Sequence, residues 1–579
     1  MKAFCLYIFL FILLSIPVNI LGQNIIVNRP YVETSSTEHL FVDKLELSDS
    51  ETILYGDAYH LPNYWVKIAS DSHLVGKSGK KYKLLCSEGF ELDKEVYMPE
   101  SGTMPFTLFF EPLDKSDDVF DFVEAEDKIG GIHVNPVKSD APVQCLIKGE
   151  TVDRPQSNRL YLMKKDGDAR VNKIMIPIKN GKFEYQLNCD ADEAYELVFQ
   201  DEISRGSWRP IYFFAENGVV DMTLYPMDRF KENLINGGVL TTEYLEYNKK
   251  AENVSNILYT CSSYDMDVKN VGSDSSAQKI KEIVNSSSIK VDKVDVRKEL
   301  DKLWDEDRYM NDEAKSLLRQ SDSIKNEDEK RKMLEKFYAM QDSKKHLSDE
   351  ALALEKKMSF TEQMVGDWEL QYMKDNVSLV GYERLIDRFK QSASGRAYHF
   401  STFGKAGDYM SLFNTVYSKK YPDHPYTKHM EMLVEGYVSV KVGGKYLDFS
   451  APDFAGNQIT LSDEIGGKIA LLDLWASWCG PCRRLSISMI PVYEEFKEKG
   501  FAVVGVAREE KAEYAVNAAK KDKYPWLNLL ELNDAAKIWE RYGAGNSGGQ
   551  TYLIDKDGTI LAIHPTAEEV RQILKEKLE

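Results

Sequence analysis

Between Asn24 and Val137 apolar and polar residues alternate over short runs, among them Tyr64–Ile68, Tyr82–Cys86 and Phe106–Phe110. Gly, Pro, Asp and Ser interrupt these runs, a pattern that predicts a β-sandwich-like unit over residues 24–137. A second, small β unit is expected over 141–237, with strands at Arg159–Met163, Lys182–Leu187 and Tyr195–Phe199. The pairs Asn180-Gly181 and Asn217-Gly218 supply its turns. The spacing then becomes helical, as in Leu300, Leu303 and Trp304, or Leu334, Phe337 and Met340. No proline stands between Pro226 and Pro422, and no glycine between Gly272 and Gly366, so both helix breakers are absent over a long span. Amphipathic helices are expected over 242–440, interrupted by a Ser- and Asp-rich loop at Lys269–Lys290. The Lys/Glu runs near Asn326–Lys336 read as a solvated helix face.

From 443 to 579 the pattern is α/β. Near-continuous apolar strands at Ala470–Trp475 and Phe501–Ala507 alternate with helices at Cys482–Lys499 and Ala512–Lys521. A strand at Trp526–Leu530, a helix at Ala535–Tyr542, a hairpin at Thr551–His564 and a final helix at Ala567–Leu578 follow. Such strands imply a sheet covered on both faces. The expected fold class is therefore multidomain: β-sandwich-like units, a central helical region and a C-terminal α/β unit.

Composition narrows the partners. A net charge of −19 argues against nucleic acid, whose phosphates require clustered Lys and Arg, and against anionic membrane surfaces. The 43% hydrophobic content suffices for several cores. Residues 1–22 carry Lys2, an apolar stretch from Ala3 to Ile16, and then Pro17, Asn19 and Gly22. They read as a secretory signal peptide cleaved near Gly22–Gln23, leaving no transmembrane segment and an exported, for example periplasmic, protein. Cys86, Cys145, Cys189 and Cys261 are widely spaced, and the first three lie in strand contexts. They are read as unpaired structural residues, although sequence alone leaves three pairings open.

The chemistry lies in Trp478-Cys479-Gly480-Pro481-Cys482, at the junction of a buried strand and a helix. The helix N-terminus offers unpaired N–H groups and partial positive charge to the first sulfur, favouring its thiolate. Cys479 is expected at the exposed helix start as the attacking thiolate, with Cys482 one turn inward and more buried as the resolving thiol. Asp473, an isolated carboxyl in an apolar run, is the candidate proton acceptor because burial raises its pKa. Trp478 is expected to shield the disulfide and contact the partner. Pro481 fits the first helical turn, where its missing N–H costs little. No cysteine follows Cys482, so no zinc site is implied, and no cofactor either.

The run Leu471–Arg484, with Ala451-Pro-Asp-Phe454 before it and Tyr552–Gly558 after it, resembles the thioredoxin fold. The similarity points to the TlpA/ResA-like exported thiol–disulfide oxidoreductases. The series Ile147-Lys-Gly-Glu, Asn180-Gly-Lys-Phe and Phe213–Gly218 resembles a small β domain of unknown function that often precedes such modules in secreted bacterial proteins. The thioredoxin-like resemblance covers about a quarter of the chain. It implies a protein disulfide substrate, a thiol electron donor and, through Gly480-Pro481, a reducing poise. It also marks three departures. Gly549 stands where the family has a cis-proline beside the dithiol, and so a trans bond or remodelled docking loop is expected. Leu485 stands where related reductases often carry glutamate, and Ile487 replaces a helix proline.

Gly543–Gly548 matches G-x-G-x-x-G, but it follows a helix and precedes a strand, the reverse of a dinucleotide fingerprint. Thiol–disulfide exchange is the leading function. A thiol peroxidase is disfavoured because Leu472 and Ala476 occupy the Pro-like and Thr-like positions of a peroxidatic site. The non-enzymatic alternative is a binding or scaffold protein whose dithiol serves one partner or is vestigial.

Overall fold

The computed structural model describes residues 25–260, 296–393 and 406–579, apart from 126, 136–139, 166, 169, 171–172 and 547. The expected signal peptide, Cys261 and the Lys269–Lys290 loop lie outside the described residues.

Residues 25–133 build one nine-stranded antiparallel sheet. Its edge strands, Ile25–Asn28 and Val32–Ser35, are consecutive in the chain yet lie at opposite ends of the strand order. The four residue steps between them reach at most about 14 Å, whereas nine flat strands separate their edges by roughly 38 Å. The sheet must therefore roll until its edges approach, enclosing a single core that includes Leu45, Leu54, Leu108, Phe110 and Phe120. The expected sandwich-like unit is thus built from one rolled sheet. Alternation fixes which side chains point inward and leaves open where a sheet turns over. Cys86, expected to be buried, is exposed. A bulge between Leu84 and Cys86, in the pairing of Lys81–Glu88 with Thr103–Phe110, turns both Leu85 and Cys86 outward.

Residues 143–236 form two four-stranded sheets that share one core containing Ile147, Leu162, Leu197, Phe213 and Val220. Cys145 and Cys189 are buried there as free thiols. Among the described residues helices follow between Val239 and Ser439, the longest being Asp349–Asp375. The Asn311 and Ser348 side chains cap the helices beginning at Asp312 and Asp349 by accepting from the N–H groups of Ala314 and Ala351.

The C-terminal unit is a five-stranded mixed sheet in the order Leu527–Leu532, Phe501–Glu509, Ile469–Trp475, Gln550–Ile554, Ile560–Ile563. Ile469–Trp475 is central and all seven of its residues are buried. It runs parallel to Phe501–Glu509 and antiparallel to Gln550–Ile554. Its odd-numbered residues Ile469 and Leu471 pack with Met489, Val492 and Phe496 of the helix Gly480–Phe496 and with Val570 and Leu574 of the helix Ala567–Leu578. Leu472 and Leu474 face the other way, toward Leu461, Ile538, Trp539 and Tyr542. The helix expected over Ala535–Tyr542 spans only Ile538–Arg541.

The remainder of the chain grips this unit at several places. Lys511 pairs with Asp127 at 2.5 Å, and Lys173 with Glu510 at 3.6 Å. Glu540 receives both Lys390 at 3.1 Å and His429 at 2.7 Å.

Candidate redox site

The central strand ends at Trp475, and Ala476–Trp478 turns the chain into the helix that starts at Gly480. This turn is tied at one residue. Ser477 donates its N–H to Glu509 at 2.5 Å, and its carbonyl accepts from Arg483 at 3.1 Å. Arg483 is itself held by two bonds to Asp522 at 2.6 and 2.8 Å. Burial pushes the Glu509 carboxyl up, and the bond from Ser477 opposes that.

Cys479 is the helix N-cap and is joined to Cys482 as a disulfide with a Cα–Cα distance of 5.3 Å. Each sulfur faces a backbone donor. The Cys482 N–H lies 3.3 Å from Cys479 Sγ, and the Gly549 N–H lies 3.2 Å from Cys482 Sγ. Gly480 and Pro481 are exposed in the first turn. The exposure of the two cysteines is the reverse of the expectation: Cys479 is only 5% exposed, whereas Cys482 is half-buried. The reason is the chain that crosses the helix start. A Cβ built on Gly548 would stand 3.8 Å from Cys479 Sγ.

The face of Trp478 is also occupied. Its ring tilts against Trp539 at 6.2 Å, and the guanidinium of Arg170, from the second β unit, sits 3.9 Å over it. Arg170 is braced by two 2.8 Å bonds to Asp168 and also donates to the Asn546 carbonyl. Arg508 reaches the same buried Asp168 at 3.2 Å and the Asn546 side chain at 3.1 Å. Asp168, Arg170, Arg508 and Asn546 carry no signal in the sequence, because they meet only through the packing of two units.

Asp473 is 2% exposed on the central strand. Its Oδ2 accepts from Ser486 at 2.6 Å, and Oδ1 has no hydrogen-bond partner among the described residues. Burial pushes its pKa up to about 7, with the Ser486 bond opposing. The Ser486 hydroxyl also lies 3.0 Å from the carbonyl of Cys482, one helical turn earlier. Asp473 is therefore one side chain away from the backbone of Cys482. Ser486 is not among the residues expected from the sequence, although its position four residues after Cys482 is the available signal.

Gly549 lies beside the dithiol, as its place before the Gln550–Ile554 strand requires, and its peptide bond is trans. A Cβ there would fall 1.7 Å from the Leu474 carbonyl oxygen, so no side chain fits this backbone. Leu485 is half-buried and Ile487 exposed, and neither offers a proton acceptor. Among the described residues no cluster of His, Cys, Asp and Glu could hold a metal ion.

A strand–turn–helix on a mixed five-stranded sheet, with a disulfide across the first helical turn and a buried carboxyl beneath it, defines a thioredoxin-like redox module. Residues 442–563 match the model of the AhpC/TSA family. Thiol-disulfide oxidoreductase ResA of Bacillus cereus is 28% identical over 150 residues, 25% of this chain and 84% of that protein. Thioredoxin-like protein YneN of Bacillus subtilis is 35% identical over 142 residues, 24% of this chain and 81% of that protein. Among solved structures, the thioredoxin domain of a thiol-disulfide oxidoreductase from Bacteroides vulgatus is 26% identical. It covers 24% of this chain and 100% of that one, with a TM-score of 0.23. The chain belongs, through its C-terminal region, to the ResA-like family of thioredoxin-fold proteins, and it is a thiol–disulfide oxidoreductase.

Proposed function

We propose that the protein is an exported reductase or isomerase of protein disulfides, with Cys479 attacking, Cys482 resolving and Asp473 exchanging the proton. The observation that carries this reading is the Cys479–Cys482 disulfide at a helix start, each sulfur facing a backbone N–H, beside a carboxyl whose pKa is about 7. In the reducing direction the Cys479 thiolate attacks a substrate disulfide and forms a mixed disulfide, releasing one substrate thiolate. Cys482, its proton taken up through the carboxylate of Asp473, then attacks Cys479 Sγ. The second substrate thiolate leaves, and the protein is oxidised by two electrons. A thiol donor must restore the dithiol. Export is supported by the apolar stretch at Ala3–Ile16.

Insulin reduction and mixed-disulfide trapping test the assignment. Cys479→Ser should abolish reduction, and Cys482→Ser should accumulate mixed disulfides through Cys479. Retained activity in Cys479→Ser would overturn it.

The buried Cys479 and the Arg170-covered Trp478 favour a second reading, in which the dithiol serves a single dedicated partner. Broad insulin reduction supports the general enzyme. Inertness toward insulin, combined with one trapped partner, supports the dedicated module.

A further inference from the structure

We infer that the backbone N–H of Gly549 is a catalytic group, a fixed donor that stabilises negative charge on Cys482 Sγ whenever the active-site disulfide opens. This inference rests on the dithiol being the exchange centre and assigns Gly549 a part in the chemistry beyond docking. Its basis is positional. The N–H points at Cys482 Sγ from 3.2 Å, and the residue cannot be anything but glycine in this conformation because a Cβ would strike the Leu474 carbonyl at 1.7 Å. A proline at this position has no N–H to give, so the departure noted in the sequence adds a donor where the family pattern has none.

The two sulfurs are thereby served separately: Cys479 by the N–H of Cys482 at the helix start, and Cys482 by an amide from a different segment. Hydrogen bonds to an ionised sulfur are stronger than those to a neutral one, so both donors act mainly on thiolates. When a thiolate from the electron donor attacks Cys479 Sγ, a new S–S bond forms between the donor and Cys479. The Cys479–Cys482 bond breaks, and its electron pair goes to Cys482 Sγ. Charge develops on that atom, where the Gly549 N–H already points, in the manner of an oxyanion hole. A proton then arrives from solvent or from protonated Asp473, leaving Cys482 as a thiol. In the reverse direction the same donor raises the thiolate fraction of Cys482 and so its readiness to attack the mixed disulfide.

Dithiothreitol, which needs no docking surface, is the appropriate reductant for the test, applied to the full chain. Gly549→Ala must displace the backbone from Leu474 and with it the N–H. Reduction of its oxidised form should slow roughly tenfold, since removing one such donor costs at least that much in related charge-stabilising sites. In a Cys482→Ser background, where no charge reaches residue 482, Gly549→Ala should change the reaction of Cys479 with a small aromatic disulfide much less than it changes reduction of the parent disulfide. Equal slowing in both backgrounds would place Gly549 in docking or folding and overturn the inference. A second measurement needs no change at Gly549. In reduced Cys479→Ser protein labelled with 15N-glycine, the Gly549 amide proton should move downfield with pH, at the same midpoint as alkylation of Cys482 by iodoacetamide. An amide that ignores the ionisation of Cys482 would overturn the inference even if Gly549→Ala fails to fold. Neither readout uses a protein substrate, so insulin reduction can fail, or succeed, independently of them.

Discussion

Two carboxylate sites of this chain, one in the helical region and one in the C-terminal unit, are handled in opposite ways. In the helical region Asp387, Glu383 and Glu369 are surrounded by cations. Arg384 lies 2.6 Å from Asp387, Lys165 pairs with Glu383, and Arg388 and the Tyr247 hydroxyl meet Glu369. Burial works against the charge of Asp387, but Arg384, Lys165 and Arg388 outweigh it and hold the carboxyl below its ordinary range. In the C-terminal unit Asp473 is as buried as Glu369 but has only Ser486, a neutral donor, and burial pushes it up to about 7. Asp387 is therefore charged scaffolding at neutral pH. Asp473 sits at the midpoint of its titration, where a proton can be gained or lost at little cost. Burial raises both carboxyls. The neighbouring cations reverse that at Asp387, and no cation does so at Asp473.

The largest effect is expected from removing a carboxylate of the paired cluster. Glu369→Ala leaves Arg388 and Arg384 buried with one counter-charge fewer, and such losses cost about 3–5 kcal/mol. Chemical denaturation should register that loss, while the folded variant keeps its rate with dithiothreitol. A stability unchanged from the parent would mean that the cluster is as loosely solvated as a surface pair.

The next test uses pH, and the two regions should respond with opposite signs. Asp473 is raised in the folded state, so between the unfolded value of 3.8 and about 7 the folded protein holds the extra proton. Its contribution therefore favours folding at low pH and is lost as pH rises through that window, by at most about 4 kcal/mol. Asp387 is depressed, so its contribution is present above 3.8 and is lost as pH falls through the folded value. Asp473→Asn should flatten the fall between pH 4 and 7, leave the acid limb intact, and make the oxidised protein more stable than its parent at pH 8. The same variant should slow exchange roughly 100-fold and remove the inflection near 7 from its pH profile. An unaltered profile would detach Asp473 from the chemistry.

The contrast also explains what the order of residues alone can reveal. Asp473 is legible because a single acid in Ile469–Trp475 interrupts an otherwise continuous apolar strand, and strand burial is a local property. The dithiol is legible for the same reason, since strand, turn and helix start are contiguous. Asp387 and Glu369 are not: on their helices they resemble any solvated acid, and their cations arrive from residues as distant as Lys165. The burial of Cys479 is hidden in the same way, because Gly548 lies far along the chain from the sulfur it covers. Nor can alternation reveal the rolling of the nine-stranded sheet, which depends on the placement of Ile25–Asn28 and Val32–Ser35 at opposite edges.

The smallest effect is expected at Ser486. Ser486 is the only hydrogen-bonding group that reaches the Asp473 carboxyl among the described residues, and its hydroxyl can also turn to the Cys482 carbonyl at 3.0 Å. A hydrogen bond to a charged group contributes about 1.5–3 kcal/mol, whereas one between neutral groups contributes about 1 kcal/mol. Ser486→Ala should therefore destabilise the protein by about 1 kcal/mol at pH 5, where Asp473 is protonated, and by about 1 kcal/mol more at pH 8, where it is ionised. Because the Ser486 bond holds the pKa of Asp473 down, its loss should also move the inflection of the exchange profile upward from about 7. Equal destabilisation at the two pH values, with an unmoved inflection, would mean that Ser486 serves only the helix backbone and that Asp473 stands without any partner.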